Sequence, residues 1–265
     1  MICSSANAQA LKVISLYPGH SDNICALGGS DLLIALSDND DADLLPNLPR
    51  IPLRAGAERL LALKPDIVIT RSFAVRLNHN MYSVLERSGV KVIIIDPPEW
   101  EDFTEYLKTL ASALGLSPDE AVKKLNDITA KITARVPARK APRVFLEATG
   151  RELHTCSPDS WAAKLIALAG GENIASDAKP LRPGSAIASF GAERLLKSAE
   201  SLDVYIIQSG AMNSSHAKDF YSRAWSSAFT HTKVIEIPEK YISRPSLPGL
   251  EKGAEILINA FWEEK

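Results

Sequence analysis

The sequence predicts an α/β fold in which two lobes of the same plan are joined by one long helix. Strand-like and helix-like runs alternate along the chain, which is typical of parallel sheets covered by helices. The hexapeptide GAERLL at residues 56–61 recurs letter for letter at residues 191–196. One long amphipathic helix is predicted between the two copies. We therefore expect an N-terminal lobe over residues 11–116, a connecting helix over 117–137 and a C-terminal lobe over 138–265.

The first half contains four predicted strands and four predicted helices. Apolar runs bounded by turn residues indicate the strands, at residues 11–16, 32–36, 67–70 and 90–95. Helical spacing and capping residues indicate the helices, at residues 21–29, 57–63, 77–88 and 100–114. The first helix ends at the pair Gly28-Gly29, which is typical of a helix C-terminus.

The predicted connecting helix has clear start and stop signals. Ser117 is a favourable N-cap, Pro118 suits the first helical position, and Glu120 completes a capping box. The apolar residues that follow recur at steps of three and four and form one stripe: Val122, Leu125, Ile128, Ile132 and Val136. Pro137 ends the helix. About nineteen helical residues span roughly 28 Å, which is long enough to tie two lobes together.

The second half repeats the order of the first. Its predicted strands cover residues 144–148, 204–208 and 234–237, and its predicted helices cover residues 160–171, 192–197, 217–226 and 247–263. The pair Gly170-Gly171 echoes Gly28-Gly29, and each GAERLL helix is followed by a strand preceded by Asp66 or Asp203. Agreement at these separate places indicates a duplicated α/β unit.

Composition and charge exclude two classes of partner. The chain has 265 residues and a formal net charge of −2, so neither nucleic acid nor an anionic membrane surface is an expected partner. No apolar run reaches the roughly 18 residues of a membrane-spanning helix. Three cysteines, Cys3, Cys25 and Cys156, stand far apart and indicate neither a zinc site nor a disulfide framework.

The first ten residues, MICSSANAQA, are typical of the end of a secretory signal peptide. Residues 6–8 and 8–10 both fit the small-x-small pattern of a cleavage site, and the first strand follows directly. We therefore expect a periplasmic or otherwise extracytoplasmic protein. Tethering through a lipid on Cys3 and a leader of no consequence are the alternatives.

The predicted architecture favours a binding protein over an enzyme. In open α/β sheets, ligands bind outside the carboxyl ends of the strands, so two lobes of this kind are expected to enclose a cleft. The chain contains no GxSxG, HExxH, Walker or paired-cysteine motif. Both Gly-Gly pairs follow helices instead of opening them, which is not the arrangement of a phosphate-binding loop. A two-lobed enzyme stays an alternative for which no acid, base or nucleophile is nominated.

Several stretches resemble one family of proteins. The residues VISLYPGHSDNICALGG, GAERLLALKPDIVIT, LIALAGGENIA and YISRPS, with a single spanning helix between the halves, are similar to the periplasmic solute-binding proteins of ABC importers for cobalamin, ferric siderophores and haem. The resemblance covers the chain from Leu11 onward. It implies two Rossmann-like lobes joined by a rigid backbone helix, with modest closure around a bulky metal chelate. It also implies that Glu58 and Glu193 dock on arginines of the membrane permease.

The loops at the predicted cleft supply ten candidate ligand-binding residues. They are Tyr17, His20, Asp38, Arg71, Trp100, Ser157, Trp161, Met212, Tyr241 and Arg244. Guanidinium groups suit carboxylate or catecholate oxygens, although pairing with a surface carboxylate is the commoner role of an arginine. The aromatic rings offer flat faces to a macrocycle or chelate, with core packing as the alternative. Tyr17 and His20 are also candidate iron ligands, although a histidine in a loop is more often solvated.

Alternatives stay open for the ligand and for the two glutamates. A two-lobed binder of a free metal ion or oxyanion would use some of the five histidines, His20, His79, His154, His216 and His231. Glu58 and Glu193 would each stabilise the positive end of a helix dipole by ~0.3–1 kcal/mol even without a permease. We expect a monomer without a cofactor.

Overall fold

The computed structural model describes residues 11–150 and 152–263. The expected leader, residues 1–10, lies outside this part of the chain. The chain divides into two compact units. The first unit contains the residues up to Pro98 together with Phe103–Val122, and the second contains Glu99–Asp102 together with the residues from Lys123 onward.

The first unit is built on a five-stranded parallel sheet. Its strands in chain order are β1 (Val13–Ser15), β2 (Leu33–Ser37), β3 (Arg50–Ile51), β4 (Ile67–Thr70) and β5 (Lys91–Ile94). Its helices are α1 (Pro18–Ala26), α2 (Ala57–Leu61), α3 (Ser72–Leu77), α4 (His79–Arg87) and α5 (Phe103–Leu114). β1 and β4 are buried along their whole length, as expected for a parallel sheet covered by helices. One apolar core joins Ile14 and Val68 of these strands to Leu60 of α2 and Leu85 of α4.

The strand order of this sheet is β3-β2-β1-β4-β5, so the order reverses between β1 and β4. A reversal of this kind separates the loops that follow the two strands and leaves a crevice outside their carboxyl ends. We call this place the first switch point; it comprises the residues that follow Ser15 and Thr70.

A helix of 17 residues, α6 (Asp119–Arg135), follows α5. The Ser117 hydroxyl accepts a hydrogen bond from the backbone N–H of Asp119 at 3.2 Å, at the predicted start. Three residues of the predicted stripe, Leu125, Ile128 and Ile132, are buried, whereas Val122 and Val136 are only partly buried. Ala121 is buried in addition. The division between the two units falls inside α6, between Val122 and Lys123. The predicted role of this helix as a rigid connection, and the lobe boundaries at residues 116 and 138, stay predictions.

The second unit contains a four-stranded parallel sheet and a smaller antiparallel sheet of three strands. Its strands in chain order are β6 (Arg143–Glu147), β7 (Thr155–Cys156), β8 (Glu172–Asn173), β9 (Lys179–Pro180), β10 (Ile187–Ser189), β11 (Val204–Ser209) and β12 (Lys233–Pro238). Its helices are α7 (Trp161–Leu168), α8 (Ala192–Lys197), α9 (Glu239–Ile242) and α10 (Leu247–Trp262). The parallel strands follow the order β12-β11-β6-β8, which reverses between β6 and β11. We call this place the second switch point; it comprises the residues that follow Glu147 and Ser209.

The repeat predicted from the sequence is visible in matching hydrogen bonds at the amino ends of the two sheets. Asp66, just before β4, accepts a hydrogen bond from the backbone N–H of Lys12 at 2.8 Å. Asp203, just before β11, accepts one from the backbone N–H of Arg143 at 2.7 Å. In both units an aspartate therefore fixes the start of the first strand against the strand that follows the GAERLL helix.

The two Gly-Gly pairs also end their helices in the same way. Gly28 and Gly170 have φ angles of 77° and 80°, a conformation that glycine adopts without strain. The N–H of each following glycine donates a hydrogen bond of 2.9 Å to the carbonyl oxygen of Ile24 or Ile166. The prediction that these pairs are helix C-caps is confirmed.

The predicted helix over residues 217–226 is wrong. The structure has two short 3₁₀ segments there, Ala217–Ser222 and Ser226–Ala228, and the backbone at Arg223 is extended. The Arg223 side chain forms an ion pair with the buried carboxylate of Glu147. This tertiary contact holds the chain away from a helical path, and helical spacing carries no information about it.

Smaller differences concern short elements. The strands β3, β7, β8, β9 and β10 have two or three residues each, which is too short for an alternating pattern to be recognised. The helix predicted over residues 77–88 corresponds to α4, while α3, which precedes it, was not predicted. The helix predicted from residue 100 begins at Phe103. The other predicted strands and helices lie at the places the sequence indicated.

Candidate functional site

Tyr17 and Arg71 meet at the first switch point. Tyr17 follows β1 and Arg71 follows β4, at the carboxyl ends of adjacent parallel strands. The guanidinium carbon of Arg71 lies 4.2 Å from the centre of the Tyr17 ring and 5.9 Å from the centre of the Phe73 ring. Gly19 makes room for the tyrosine, because a Cβ at that position would lie 2.6 Å from Tyr17 Cε1. The structure thus brings together two of the residues that the sequence analysis selected.

The guanidinium of Arg71 is stacked on rings but not paired. It makes no hydrogen bond and no ion pair with the described residues, although the side chain is partly buried and Nε is closed off from solvent. A guanidinium carries five N–H donors in a rigid plane. The donors on the two terminal nitrogens remain available to oxygen atoms of a ligand.

Asp96 is a carboxylate that feels the charge of Arg71, but both of its oxygens accept hydrogen bonds from Ser72. The backbone N–H and the hydroxyl of Ser72 donate to the two carboxylate oxygens at 2.9 and 2.6 Å. Burial opposes ionisation of Asp96, yet these hydrogen bonds, followed by the charges of Arg76 and Arg71, lower its pKa. Asp96 therefore orients the start of α3 as an ionised group.

A shallow, largely apolar pocket lies on the same edge of the sheet, outside β1, β2 and β3. Its lining includes Leu16, Asp38, Ile51, Leu53 and Tyr82. The Tyr82 hydroxyl is 2.8 Å from Thr70 Oγ1, and burial raises the pKa of this phenol. Leu53 and Phe73 are 37% and 50% exposed. This edge of the sheet therefore carries the exposed Phe73 ring beside Arg71 and further apolar side chains around the pocket.

The acidic loop after β2 carries one exposed carboxylate, Asp38, and one buried carboxylate, Asp40. Asp38 is exposed at the rim of the pocket and stays a candidate ligand-binding residue. Asp40 is buried, and one of its oxygens accepts the backbone N–H of Ser37 at 2.9 Å. Burial raises the pKa of Asp40 to about 6. Asp40 shapes the loop that carries Asp38.

His20 lies in the core, which does not support its predicted role as a ligand-binding residue or iron ligand. It is fully buried, with Nδ1 2.7 Å from the Tyr106 hydroxyl and Nε2 2.9 Å from the carbonyl oxygen of Ile95. Burial lowers the pKa of His20 to about 4, so the ring is neutral. The sequence analysis placed His20 in a turn, whereas α1 already begins at Pro18 and directs the ring inward.

The second switch point is closed by a buried ion pair. Glu147, the last residue of β6, is fully buried and pairs with both terminal nitrogens of Arg223, one of them at 3.0 Å. The Tyr205 hydroxyl and the Asn213 side-chain amide donate to the same carboxylate at 2.6 and 3.1 Å. Four donors saturate this carboxylate, and the arginine is neutralised within the protein.

The ion pair fixes a loop that presents an aromatic surface. The guanidinium carbon of Arg223 lies 5.6 and 5.3 Å from the ring centres of Phe220 and Trp225, which pack on Tyr205. Tyr221, next to this cluster, is 66% exposed, and Met212 in the same connection is 56% exposed. The exposed position of Met212 is compatible with its predicted role in ligand binding.

Trp100 and Trp161 pack against each other inside the second unit. Their ring centres are 4.6 Å apart, and Trp161 is only 6% exposed. One turn further along α7, Lys164 forms a 2.7 Å ion pair with Glu101. These contacts favour a packing role for Trp161, while Trp100 keeps a partly exposed ring.

The second unit also holds the three remaining predicted ligand-binding residues. The hydroxyl of the buried Ser157 donates to the carbonyl oxygen of Ser185 at 2.5 Å, so this group is already used. Tyr241 in α9 lines a shallow depression with Lys131 of α6 and side chains of α10, which does not support its predicted role. Arg244 follows α9 and is partly buried; its role stays a prediction.

Glu58 and Glu193 occupy the first turns of α2 and α8, and both are exposed. Glu193 forms a 2.7 Å ion pair with Lys197, one turn further along the helix. Glu58 forms no ion pair with any residue the structure describes, and Ala62 stands at the place that corresponds to Lys197. The two repeated helices therefore differ in that Glu193 is paired with a lysine of its own helix and Glu58 is not.

Sequence reasoning missed several residues of these surfaces. Phe73 and the pair Tyr221 and Trp225 were not selected, although the stretch FYSRAW, in the helix predicted over residues 217–226, carries three aromatic residues beside an arginine. The ion pair of Glu147 and Arg223 had no local signal, because its partners are 76 positions apart.

Within residues 11–150 and 152–263, no group of three or more His, Cys, Asp or Glu side chains is placed to hold a metal ion. In the same part of the chain, no helix combines the length and the apolar character needed to cross a membrane.

Comparison with known proteins agrees with the resemblance noted in the sequence. A family model described as periplasmic binding protein matches residues 2–241. The vitamin B12-binding protein of Pectobacterium carotovorum subsp. carotovorum is 26% identical over 185 residues, which cover 67% of this chain and 66% of that protein. The match thus spans just under two thirds of the relative's length.

Solved structures share the fold at low sequence identity. A possible iron-binding periplasmic solute-binding protein of Staphylococcus epidermidis has a TM-score of 0.77 and 19% identity, covering 95% of this chain and 98% of that one. The periplasmic haem-binding protein HutB of Vibrio cholerae has a TM-score of 0.73 and 18% identity, covering 94% and 99%. The periplasmic vitamin B12-binding protein BtuF of Vibrio cholerae has a TM-score of 0.66 and 18% identity, covering 94% and 95%.

Proposed function

The chain belongs to the periplasmic binding protein family, and from this premise we propose that it is the extracytoplasmic substrate-binding component of an ABC importer. It captures a metal chelate and delivers it to the membrane permease without altering it chemically. The chelate is a ferric siderophore, haem or a cobalamin-type corrinoid.

The observation that carries this proposal is the first switch point. An unpaired guanidinium stacked on Tyr17, beside exposed apolar side chains, is a surface suited to a bulky ligand with polar groups at its edge. Met212, Tyr221 and Trp225 offer a second, aromatic surface on the other unit. The named ligands of the similar proteins, vitamin B12 and haem, are large chelates of the kind that such surfaces accommodate.

Ligand binding by the purified protein tests the proposal. Cyanocobalamin, haem, ferric citrate, ferric siderophores and molybdate are each added in a thermal-shift assay, with absorbance spectra taken in parallel. A ligand present at 100 times its Kd stabilises the folded state by about 2.7 kcal/mol and raises Tm. We expect one chelate class to do so. Stabilisation by zinc, manganese or molybdate, without stabilisation by any chelate, would contradict the proposal.

Delivery to the permease is assigned to Glu58 and Glu193. Both carboxylates are exposed on the first turns of helices of identical sequence, one on each unit, which suits a permease built from two equivalent halves. Reversing both charges, Glu58→Lys with Glu193→Lys, is expected to abolish uptake in cells while the affinity for the chelate stays unchanged.

A matched control separates docking from the overall change of charge. Glu86 and Glu200 are exposed glutamates, one on each unit and outside the GAERLL helices. Reversing both of these charges is expected to leave uptake intact. Uptake that survives reversal of Glu58 and Glu193, or that is lost equally in the control, counts against the docking assignment.

A further inference from the structure

We propose that the chelate presents an anionic oxygen group, a carboxylate or a catecholate, to Arg71, so that charge-neutral chelates are not the ligands of this protein. This inference rests on the proposed function and narrows it to one class of chelate. It is carried by the state of the Arg71 side chain at the first switch point.

The first step is that Arg71, a partly buried cation, has no hydrogen-bond partner for its guanidinium group among the described residues. The Nε atom of Arg71 is closed off from solvent and has no hydrogen-bond acceptor among the described residues. Leaving a charged donor without an acceptor away from water is unfavourable. The two terminal nitrogens form no hydrogen bond with the described residues and are not closed off, so an anionic oxygen atom on the ligand can pair with them and supply the compensating charge.

The second step is that the neighbouring carboxylates are used elsewhere. Both oxygens of Asp96 accept hydrogen bonds from Ser72, at 2.9 and 2.6 Å. Asp38 is exposed at the rim of the pocket, where one oxygen accepts the side-chain amide of Asn39 at 3.2 Å. Asp96 is close enough for the charge of Arg71 to help lower its pKa, but no carboxylate of the described residues forms an ion pair with Arg71.

The third step is an internal comparison with Arg223. That arginine occupies the second switch point and pairs with the fully buried Glu147 through both terminal nitrogens. The same chain therefore provides a carboxylate where an arginine has a structural role. At Arg71 it provides aromatic rings instead, which hold the guanidinium plane at 4.2 Å from the Tyr17 ring centre and leave its donors open.

The fourth step concerns the body of the ligand. Phe73 and Leu53 are 50% and 37% exposed on the same edge of the sheet as Arg71. The Phe73 ring lies beside the cation, and Leu53 lies further along the edge, after β3. An exposed ring beside a cation suits a ligand with an apolar or aromatic body and a charged edge. Carboxylates on a macrocycle and catecholates around ferric iron both have this character.

Two matched pairs of probes test the inference by isothermal titration. Haem carries two free carboxylates, and its dimethyl ester has the same macrocycle without them. A ferric tris-catecholate carries a net charge of −3, whereas a ferric tris-hydroxamate is neutral. We expect the charged member of one pair to bind and its neutral counterpart to bind at least about tenfold more weakly, because hydrogen bonds to charged groups contribute ~1.5–3 kcal/mol. Which pair responds distinguishes a carboxylate from a catecholate.

Variants of two arginines complete the experiment. Arg71→Gln is expected to weaken binding of the charged probe about tenfold or more, and Arg71→Lys to weaken it less, since lysine keeps the charge but loses the planar fork. Arg76→Gln is the control, because Arg76 is exposed, donates a side-chain hydrogen bond to the Ser72 hydroxyl and carries the same charge. It is expected to leave affinity unchanged. The Tm of the ligand-free Arg71→Gln protein is expected to be no lower than that of the wild type.

The outcomes separate this inference from the proposed function. Equal binding of charged and neutral members, tight binding of cyanocobalamin alone, or full affinity in Arg71→Gln would overturn the inference and leave the proposed function standing. Failure of all four probes and of cyanocobalamin to bind would contradict the proposed function, and the inference would fall with it.

Discussion

The two units treat an arginine in opposite ways at corresponding places of their sheets. At the first switch point Arg71 stacks on Tyr17 and has no charged partner among the described residues. At the second, Arg223 is neutralised by Glu147, which also accepts two further hydrogen bonds. The strand order reverses in the same manner in both units. The fold therefore provides a switch point in each unit. The side chains at each switch point decide whether its arginine is available to a ligand or is paired within the protein.

A buried acid extends the same contrast. Asp40 is buried in the first unit without an ion-pair partner among the described residues, and burial raises the pKa of its carboxyl to about 6. Glu147 is equally buried in the second unit but is paired. The first unit thus has a buried carboxylate and an arginine without ion-pair partners among the described residues, at the edge where we expect the ligand. Functional sites commonly retain such unfavourably placed charges.

The largest expected effect comes from breaking the pair in the second unit. Glu147→Gln leaves Arg223 without its counter-charge and should lower the free energy of unfolding by about 3–5 kcal/mol. Arg71→Gln should change it by less than about 1 kcal/mol, because no pair is lost. Urea denaturation measures both. If Glu147→Gln lowers the free energy of unfolding by less than about 1 kcal/mol, the paired arginine of the second unit has no larger structural role than Arg71, and the contrast between the units fails.

The second prediction sharpens the contrast through pH. The folded protein holds the Asp40 proton more tightly than the unfolded chain, with a pKa of about 6 against 3.8. Stability from this group is therefore greatest below the unfolded pKa and falls as pH rises from about 4 to 6, by roughly 3 kcal/mol in all. Asp40→Asn should remove this fall and be more stable than the wild type at pH 7.5. Urea denaturation at pH 4 and 7.5 that gives the same difference between the two proteins would contradict it.

A third prediction concerns the glycines that open the repeated hexapeptide. Gly191 has φ 93° and ψ 132°, whereas Gly56 has φ −77° and ψ 158°. Gly191→Ala should lower the free energy of unfolding by about 1–3 kcal/mol, because the first conformation is strained for other residues. Gly56→Ala should change it little, since its Cβ meets only the flexible end of Glu58. Equal urea midpoints for the two variants would contradict this prediction, because they would indicate that Gly56 and Gly191 have the same backbone conformation.

The smallest expected effect lies at the docking glutamates. Lys197 competes for Glu193, while Ala62 leaves Glu58 free of such a competitor. Helical ion pairs of this spacing contribute ~0.3–0.5 kcal/mol, or about a twofold change. Binding of ligand-loaded protein to the permease in nanodiscs should become about twofold tighter with Lys197→Ala and about twofold weaker with Ala62→Lys. Both differences should disappear at high salt, and changes of the same sign in both variants would contradict the docking model.

Features set by local sequence were predictable. The roles of Asp66, Asp203 and the two Gly-Gly pairs follow from strand and helix ends a few residues away. Tyr17 and Arg71 were selected because residues after parallel strands meet at one edge of a sheet. The topology then brought their side chains into contact.

Features set by distant contacts were not predictable. The ion pair of Glu147 and Arg223 joins positions 76 apart. In place of the predicted helix the chain has two 3₁₀ segments, with an extended backbone at Arg223 between them. His20 was misplaced because Tyr-Pro-Gly-His has the composition of a turn, whereas the proline serves as the first residue of a helix. In both cases the deciding partner lies in another part of the chain.

The most direct test of the account is the ligand-induced rise in Tm, measured for Arg71→Gln and Arg223→Gln with the chelate that stabilises the wild type most. The account predicts that Arg71→Gln keeps the wild-type Tm without ligand and loses most of the rise. Arg223→Gln should have a lower Tm without ligand and lose less of the rise than Arg71→Gln, although the loop that it fixes also presents an aromatic surface. A full rise in Arg71→Gln, together with its loss in Arg223→Gln, would contradict the assignment of recognition to the first unit.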